Sequence, residues 1–310
     1  QVSSMADNTI HGRRNLIING SAQCWQRSTS SSSTGYTSAD RWSYYAPSSL
    51  AISRSTDVPT GFQYAISISG GGDSSGITQK IEASTCKQLV GATITVSFYL
   101  KQTTGSGTDK IAVALSRANS EDSFGGTTSI SSQTISTTSS YARYTCTFTS
   151  LPSEVANGLQ LTIKSNGSGS VVYLITGVQL EVGQATPFEH LSFGETLALC
   201  QRYYYHTYSY GTPAGTTFNQ DYESPIIIIG TGNHGMGVCN GVYPVEMRVA
   251  PALSFYSSDG TANKIRHWGG AHASYGTVNR STRQILGMSF NAGTNPEDFY
   301  SAALVCDAEL

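Results

Sequence analysis

The run GATITVSFYLK, residues 91–101, alternates apolar and polar side chains along its whole length, and this alternation is the tightest constraint on the fold. Ala92, Ile94, Val96, Phe98 and Leu100 point one way, and Thr93, Thr95, Ser97, Tyr99 and Lys101 the other, as in a half-buried antiparallel strand. The same two-residue period returns at Ile111, Val113 and Leu115, at Tyr144, Cys146 and Phe148, and at Leu159, Leu161 and Ile163. Between these runs lie Gly/Ser/Thr-rich turns such as GSGTD and SNGSGS, with no intervening helical pattern. Short strands separated by turns predict a mainly β fold built as antiparallel sandwiches or jelly rolls.

The 310 residues suit two such domains. Residues 1–14 read as an irregular arm and 15–190 as the first jelly roll. A linker helix is predicted over 191–205, where Ser192 and Glu195 have capping-box spacing and Leu197, Leu199 and Cys200 form an apolar face. The strand pattern then returns over 206–310, in SPIIIIGTG, MRVAPALSFYSS, QILGMSFNA and FYSAALVCDAEL, as a second β-sandwich.

Charge excludes several classes. Charged residues make up 12% of the chain and the net charge is -2, with Lys and Arg scattered and Arg13-Arg14 the only adjacent basic pair. A nucleic-acid partner, which needs a concentrated basic face, is not expected. Membrane insertion is not expected either, because nothing reaches transmembrane length, PIIIIG holding only four isoleucines, and the polar start QVSSMADNTIHGRR predicts no cleaved export signal. The six cysteines are widely spaced singletons without a CxxC pair, which predicts free, mostly buried thiols.

Glu181, Glu189 and His190 lie close together in ITGVQLEVGQATPFEH and could suggest paired carboxylates. One acid sits on a strand and the other beyond a turn, however, so the reading preferred here makes Phe188 an anchor and the polar residues turn contacts. His206, His234, His267 and His272 form no HxxxH, and neither a GxSxG elbow nor a P-loop occurs. No catalytic residue, metal site or cofactor is therefore expected. A structural calcium ion held by Gln79 and Glu181 oxygens is the alternative, although no EF-hand-like loop is present.

Two resemblances bear on function. NLIINGSAQCWQR, ADRWSYY, ITQKIEASTCKQLVGATITVSFYLK and VYLITGVQLEVG follow one another as the corresponding segments do in jelly-roll carbohydrate-binding modules. Over most of residues 13–310 the chain also resembles bacteriophage virion proteins of the tail-fibre type. The most specific block is GVQLE, ATPFEH and CQRYYY, followed by YPVEMRVAPALSFYSSDG and the terminal DAEL. This resemblance implies a homotrimeric tail fibre or receptor-binding protein on the virion, with other virion proteins and host cell-surface polysaccharide as partners. Alternatives are a head decoration, head-fibre or baseplate protein without glycan binding, and a polysaccharide depolymerase.

Aromatic rings stack on sugar C–H faces, so exposed aromatics are the candidates for non-catalytic glycan contact. These are Tyr44 and Tyr45 in the first domain and His267, Trp268 and Tyr275 in the second, whereas Trp25 and Trp42 read as core. Tyr203, Tyr204, Tyr205 and Tyr208, with Phe188 and Leu197, are the candidates for an oligomer or domain interface.

Overall fold

A computed structural model describes residues 13–45, 51–70, 75–104, 110–166, 171–218, 227–231, 236–267, 272–273, 277–279, 281–291 and 299–310. Two compact units emerge. The first comprises residues up to Cys24, Thr29–Phe193 and Leu310, and the second comprises Trp25–Ser28 and Gly194–Glu309.

In the first unit the described strands are β1 (Ser30–Ser31), β2 (Ser43–Tyr45), β3 (Ala51–Ser55), β4 (Ala65–Gly70), β5 (Gly76–Ile81), β6 (Ile94–Thr104), β7 (Lys110–Ser120), β8 (Ser123–Ser136), β9 (Ala142–Phe148), β10 (Leu159–Ser165) and β11 (Val171–Val182). They form one sheet in the order β1-β3-β4-β11-β6-β9 and another in the order β2-β5-β10-β7-β8, and every pairing is antiparallel. Ile66, Val96, Phe98, Leu100 and Ile175 from the first sheet are buried, as are Tyr44, Ile77, Val113, Leu115 and Leu161 from the second. This is an antiparallel β-sandwich, and the alternation identifies Val96, Phe98, Leu100, Val113, Leu115 and Leu161 among its inward residues. Removing one such side chain from water contributes about 1.5–3 kcal/mol.

β6 differs from the half-buried strand that its sequence predicts. Thr95 and Ser97, on the polar face, are also buried. Thr95 Oγ1 donates to the Gly183 carbonyl at 2.6 Å, and Arg143 Nη2 donates to Ser97 Oγ at 3.0 Å. Polar cover fixed by hydrogen bonds therefore replaces solvent over this half of the sheet.

That cover depends on a bulge in β11. Thr176 faces Tyr99 and Gln179 faces Ser97, so Gly177 and Val178 together oppose one residue of β6. β4 pairs with β11 only as far as Ile175, and the N-terminal segment pairs beyond it. Leu16 N–H donates to Leu180 O and Val178 N–H to Gly20 O, both at 2.9 Å. Asn15 holds the junction: Oδ1 accepts from Ile17 and Leu180 N–H, and Nδ2 donates to Val178 O. The Gln79 side chain pairs with both the N–H and the C=O of Ile18, and Asn19 bonds the Cys24 backbone. The asparagines of NLIING are thus backbone fasteners.

The second unit contains the helix α1 (Phe193–Gln201), which starts at the boundary between units, then β12 (Tyr204–His206), β13 (Ile227–Thr231), β14 (Met236–Val242), β15 (Ala252–Tyr256), β16 (Ile265–His267), β17 (His272–Ala273), β18 (Thr277–Asn279), β19 (Ile285–Asn291), β20 (Phe299–Ser301) and β21 (Ala303–Asp307). Its sheets are ordered β12-β21-β15 and β17-β16-β20-β13-β14-β19-β18. Tyr243, Met247, Phe255, Leu286, Met288 and Leu304 share its core. The helix is shorter than the predicted 191–205, because Tyr204, Tyr205 and His206 pair with Asp307, Cys306 and Val305 of β21. Tertiary pairing of this Tyr-rich run outweighs any continuation of the helix.

Gly177 has φ +62°, and a Cβ there would lie 2.7 Å from Phe62 and 2.9 Å from Tyr99. Gly177→Ala is expected to lower the unfolding free energy of the first unit by about 2 kcal/mol in urea titration. Gly183→Ala, with φ +82° but nothing within 4 Å, should cost about 1 kcal/mol. Equal losses would contradict the steric account of the bulge.

Among the described side chains, the thiols of Cys24, Cys86, Cys146, Cys200 and Cys306 are buried and outside any disulfide. Burial pushes the Cys86 thiol up to about 12 and that of Cys146 to about 11. Native protein should leave these thiols unreacted with a chromogenic disulfide reagent, and denaturant should release them. Rapid native modification of Cys86 or Cys146 would be inconsistent with this burial.

Candidate functional site

The acids of ITGVQLEVGQATPFEH are engaged in a fastening network. Glu181 is buried; its Oε1 accepts from Thr186 N–H at 2.9 Å and Gln179 Nε2 at 2.7 Å. Its Oε2 accepts from Thr186 Oγ1 at 2.6 Å and faces Arg14 Nε at 3.6 Å. Glu189 Oε2 accepts from Asn15 N–H, and Glu189 N–H donates to Gln179 Oε1, both at 2.8 Å. His190 packs against Phe62 and Phe188, and Phe62 packs in turn on Tyr99, with ring centroids 4.9–5.3 Å apart. The segment is a clasp over the bulged sheet, with the half-buried Phe188 anchoring it within the first unit. The Gln79 and Glu181 oxygens considered for calcium are spent on these backbone and side-chain donors.

Tyr44 and Tyr45 part company. Tyr44 points into the sandwich and is 1% exposed, with its hydroxyl accepting from Ala39 N–H at 3.1 Å. It offers no ring face to a sugar, which corrects its reading as a contact residue. Tyr45 points outward and is half-buried. Trp42 is fully buried and donates through Nε1 to Asn19 O. Trp268 and Tyr275 lie outside the described residues, as does the side chain of His267.

The register across β2, β5, β10, β7 and β8 shows what surrounds Tyr45. One outward row runs Ser43, Thr78, Thr162, Ala114 and Ser132. It is floored by hydroxyls and methyls, and the Thr78 and Thr162 hydroxyls pair at 3.2 Å. The next row on one side carries Tyr45 and Lys164, and that on the other side carries Lys80 and Gln160. Lys80 Nζ lies 5.9 Å from the Tyr36 ring centroid and 5.4 Å from that of Phe124, and it also donates to the Leu310 carbonyl. The row of small side chains crosses five strands, about 19 Å at ordinary strand spacing, and the taller flanks on β2, β5 and β10 make its β2–β10 part a trough. Thr78 and Thr162 are 8% and 9% exposed, as floor residues below such flanks would be. Hydroxyls, amides and ammonium groups between aromatic rings can hydrogen-bond and stack on a polyhydroxylated chain. Sequence reasoning found only Tyr45 of this set.

The tyrosines read as interface candidates pack inside the second unit. Tyr203, Tyr204 and Tyr208 are buried, and Tyr205 and Leu197 are half-buried. Tyr205 meets Tyr243 edge-on, and Tyr208 meets Phe218. The segment Trp25–Ser28 joins them: Trp25 N–H donates to Tyr210 Oη, and Gln26 Nε2 to Tyr204 O. The Arg27 guanidinium lies 3.7 Å above the Tyr204 ring, with Asp307 at 3.1 Å and Glu309 at 3.4 Å. Burial within one chain leaves Tyr203, Tyr204 and Tyr208 little surface for a second copy, so their reading as an oligomer contact is corrected. Elsewhere on this unit an open depression of about 650 Å³ is lined by Glu246, Arg248, Val249 and Arg283, among others.

No family model matches the sequence, and no curated protein matches it. Among solved structures, it is similar to the enzymatically active domain of bacteriophage CBA120 tailspike protein 4, at 18% identity over 55% of this chain and 22% of that one, with a TM-score of 0.39. It is similar to the xylan-binding domain CBM22-1 from Paenibacillus barcinonensis, at 12% identity over 50% of this chain and 92% of that one, TM-score 0.36. A third similar structure is the module TmCBM61 in complex with β-1,4-galactotriose, at 16% identity over 55% of this chain and 100% of that one, TM-score 0.36. The chain thus spans about a fifth of the tailspike domain. At TM-scores below 0.5 the fold assignment rests on strand order, register and burial.

His206 is buried in the second unit with Nδ1 3.1 Å from Tyr208 O and Nε2 3.1 Å from Gln26 O. Burial depresses its pKa, with Arg27 acting in the same direction, while the two carbonyls oppose the shift. The unfolded chain therefore binds this proton at higher pH than the folded one. The stability contribution is intact above about pH 6.5 and is lost as pH falls through the folded pKa. Thermal melts should show the second unit's midpoint falling on acidification from about pH 7. A midpoint that rises would contradict the shift.

Proposed function

We propose that the protein is a structural protein of a bacteriophage particle, of the tail-fibre or receptor-binding type, whose first unit binds host surface glycan chains without catalysis. The trough floored by Thr78, Thr162 and Ala114 and flanked by Tyr45, Lys164, Lys80 and Gln160 carries this reading. Its groups suit hydrogen bonding and stacking, and the Glu181 and Glu189 carboxylates are committed to the clasp. The tail-fibre-like block around GVQLE, ATPFEH and CQRYYY supports the virion setting, with assembly in the bacterial cytoplasm and other virion proteins as partners.

The same reading makes the protein a homotrimer. Val242 and Ile285, paired across β14 and β19, are 82% and 47% exposed, and this apolar surface supports self-association through the second unit. A monomeric mass in analytical ultracentrifugation would rule the trimer out.

Affinity electrophoresis through gels containing bacterial surface polysaccharides tests the binding role. At least one polysaccharide should retard the protein without release of reducing ends. Ala114→Tyr, which fills the trough, should abolish the retardation, and Tyr45→Ala should weaken it by roughly 3- to 10-fold. Retardation unchanged by both substitutions, or release of reducing ends, would overturn the proposal.

A further inference from the structure

We infer that the ligand of the trough is an acidic polysaccharide, carrying carboxylate or other anionic substituents along its sugars. The inference rests on the glycan-binding reading above and specifies its chemistry. The sequence contains six lysines, and three of them, Lys80, Lys110 and Lys164, fall on the outward face of the β2-β5-β10-β7-β8 sheet. The five strands of that sheet contain no Asp or Glu. Among the five strands of this sheet, charge is thus carried by cationic side chains alone.

The lysines are also arranged to straddle the floor. Lys80 lies opposite Gln160 on β10, and Lys164 is four residues further along the same strand. The two ammonium-bearing positions thus stand about 14 Å apart on opposite rims, with the Thr78–Thr162 pair midway between them. Lys110 is diagonal to Lys164, because Lys164 faces Ala112 two residues along β7. Their backbones are about 7–8 Å apart, so one rim carries two ammonium groups. Lys110 is exposed. Lys80 already donates to the Leu310 backbone oxygen, with the Tyr36 and Phe124 ring centroids 5.9 and 5.4 Å from its ammonium nitrogen. A sugar chain running along the hydroxyl floor would place substituents on both of its edges within reach of these cations. Neutral glycans would gain hydrogen bonds but no charge pairing from the rims.

The test compares retardation of the full chain by polygalacturonate and by a neutral β-1,4-galactan, at about 50 and 300 mM NaCl, where screening differs strongly. Polygalacturonate should be preferred at low salt and lose most of that preference at high salt. Lys110→Gln, beyond the trough flanks, should weaken polygalacturonate binding about 2- to 5-fold with unchanged melting temperature and galactan retardation, and adding Lys164→Gln should bring the polygalacturonate loss to about tenfold. Equal retardation by both polymers, unaffected by the lysine substitutions, would overturn the inference while leaving the glycan reading standing. Retention by neither these polymers nor any surface polysaccharide would overturn both. Duplex DNA binding as tightly as polygalacturonate would also overturn it, by showing general anion attraction.

Discussion

The pairing of Asn15–Gly20 with the bulged half of β11 is the interaction on which the first unit depends. β11 leaves β4 at Ile175, and without a substitute its remaining backbone groups would lack partners on that side. Asn15 and the N-terminal backbone supply them, and Gln79 reaches from the other sheet to hold Ile18. The clasp at residues 181–190 completes the cover by tying Glu189 to Asn15 and Glu181 to Thr186 and Arg14. One sheet is thereby closed over its bulged half. The opposite sheet carries the row of small side chains between taller polar and aromatic ones.

This division of labour accounts for where polar chemistry is available. Gln179, Glu181 and Glu189 each answer specific donors or acceptors, and their burial is affordable only because those partners are present. The lysines and hydroxyls of the other sheet sit on regular strands whose backbone bonds are made within the sheet. A ligand meeting these side chains would therefore leave the backbone pairing of the sandwich in place.

Much of the sandwich was legible in the sequence, and the trough was not. The alternation in GATITVSFYLK names the inward residues because a strand has a two-residue period whatever its neighbours are. The burial of Thr95 and Ser97 was hidden, since it depends on a clasp nearly ninety residues away in the chain. Lys80, Lys110 and Lys164 read as scattered charges, and only the register of β5, β10 and β7 gathers them. Tyr44 and Tyr45 are adjacent aromatics with the same composition signal, and strand parity alone sends one to the core and the other outward. The tyrosines of RYYYHTYSY looked suited to an interface because a buried tyrosine and a docking tyrosine share the same chemistry. Arg27 and the segment around it, distant in sequence, decide the matter within one chain.

The central claim, that the β2-β5-β10-β7-β8 face receives glycan, is tested most directly by hydrogen–deuterium exchange of the full protein with and without a retarding polysaccharide. The account predicts added protection in peptides spanning residues 43–45, 76–81, 110–116 and 159–165, and no change across the clasp at 181–190. Protection confined to the clasp, or to the second unit, would contradict it.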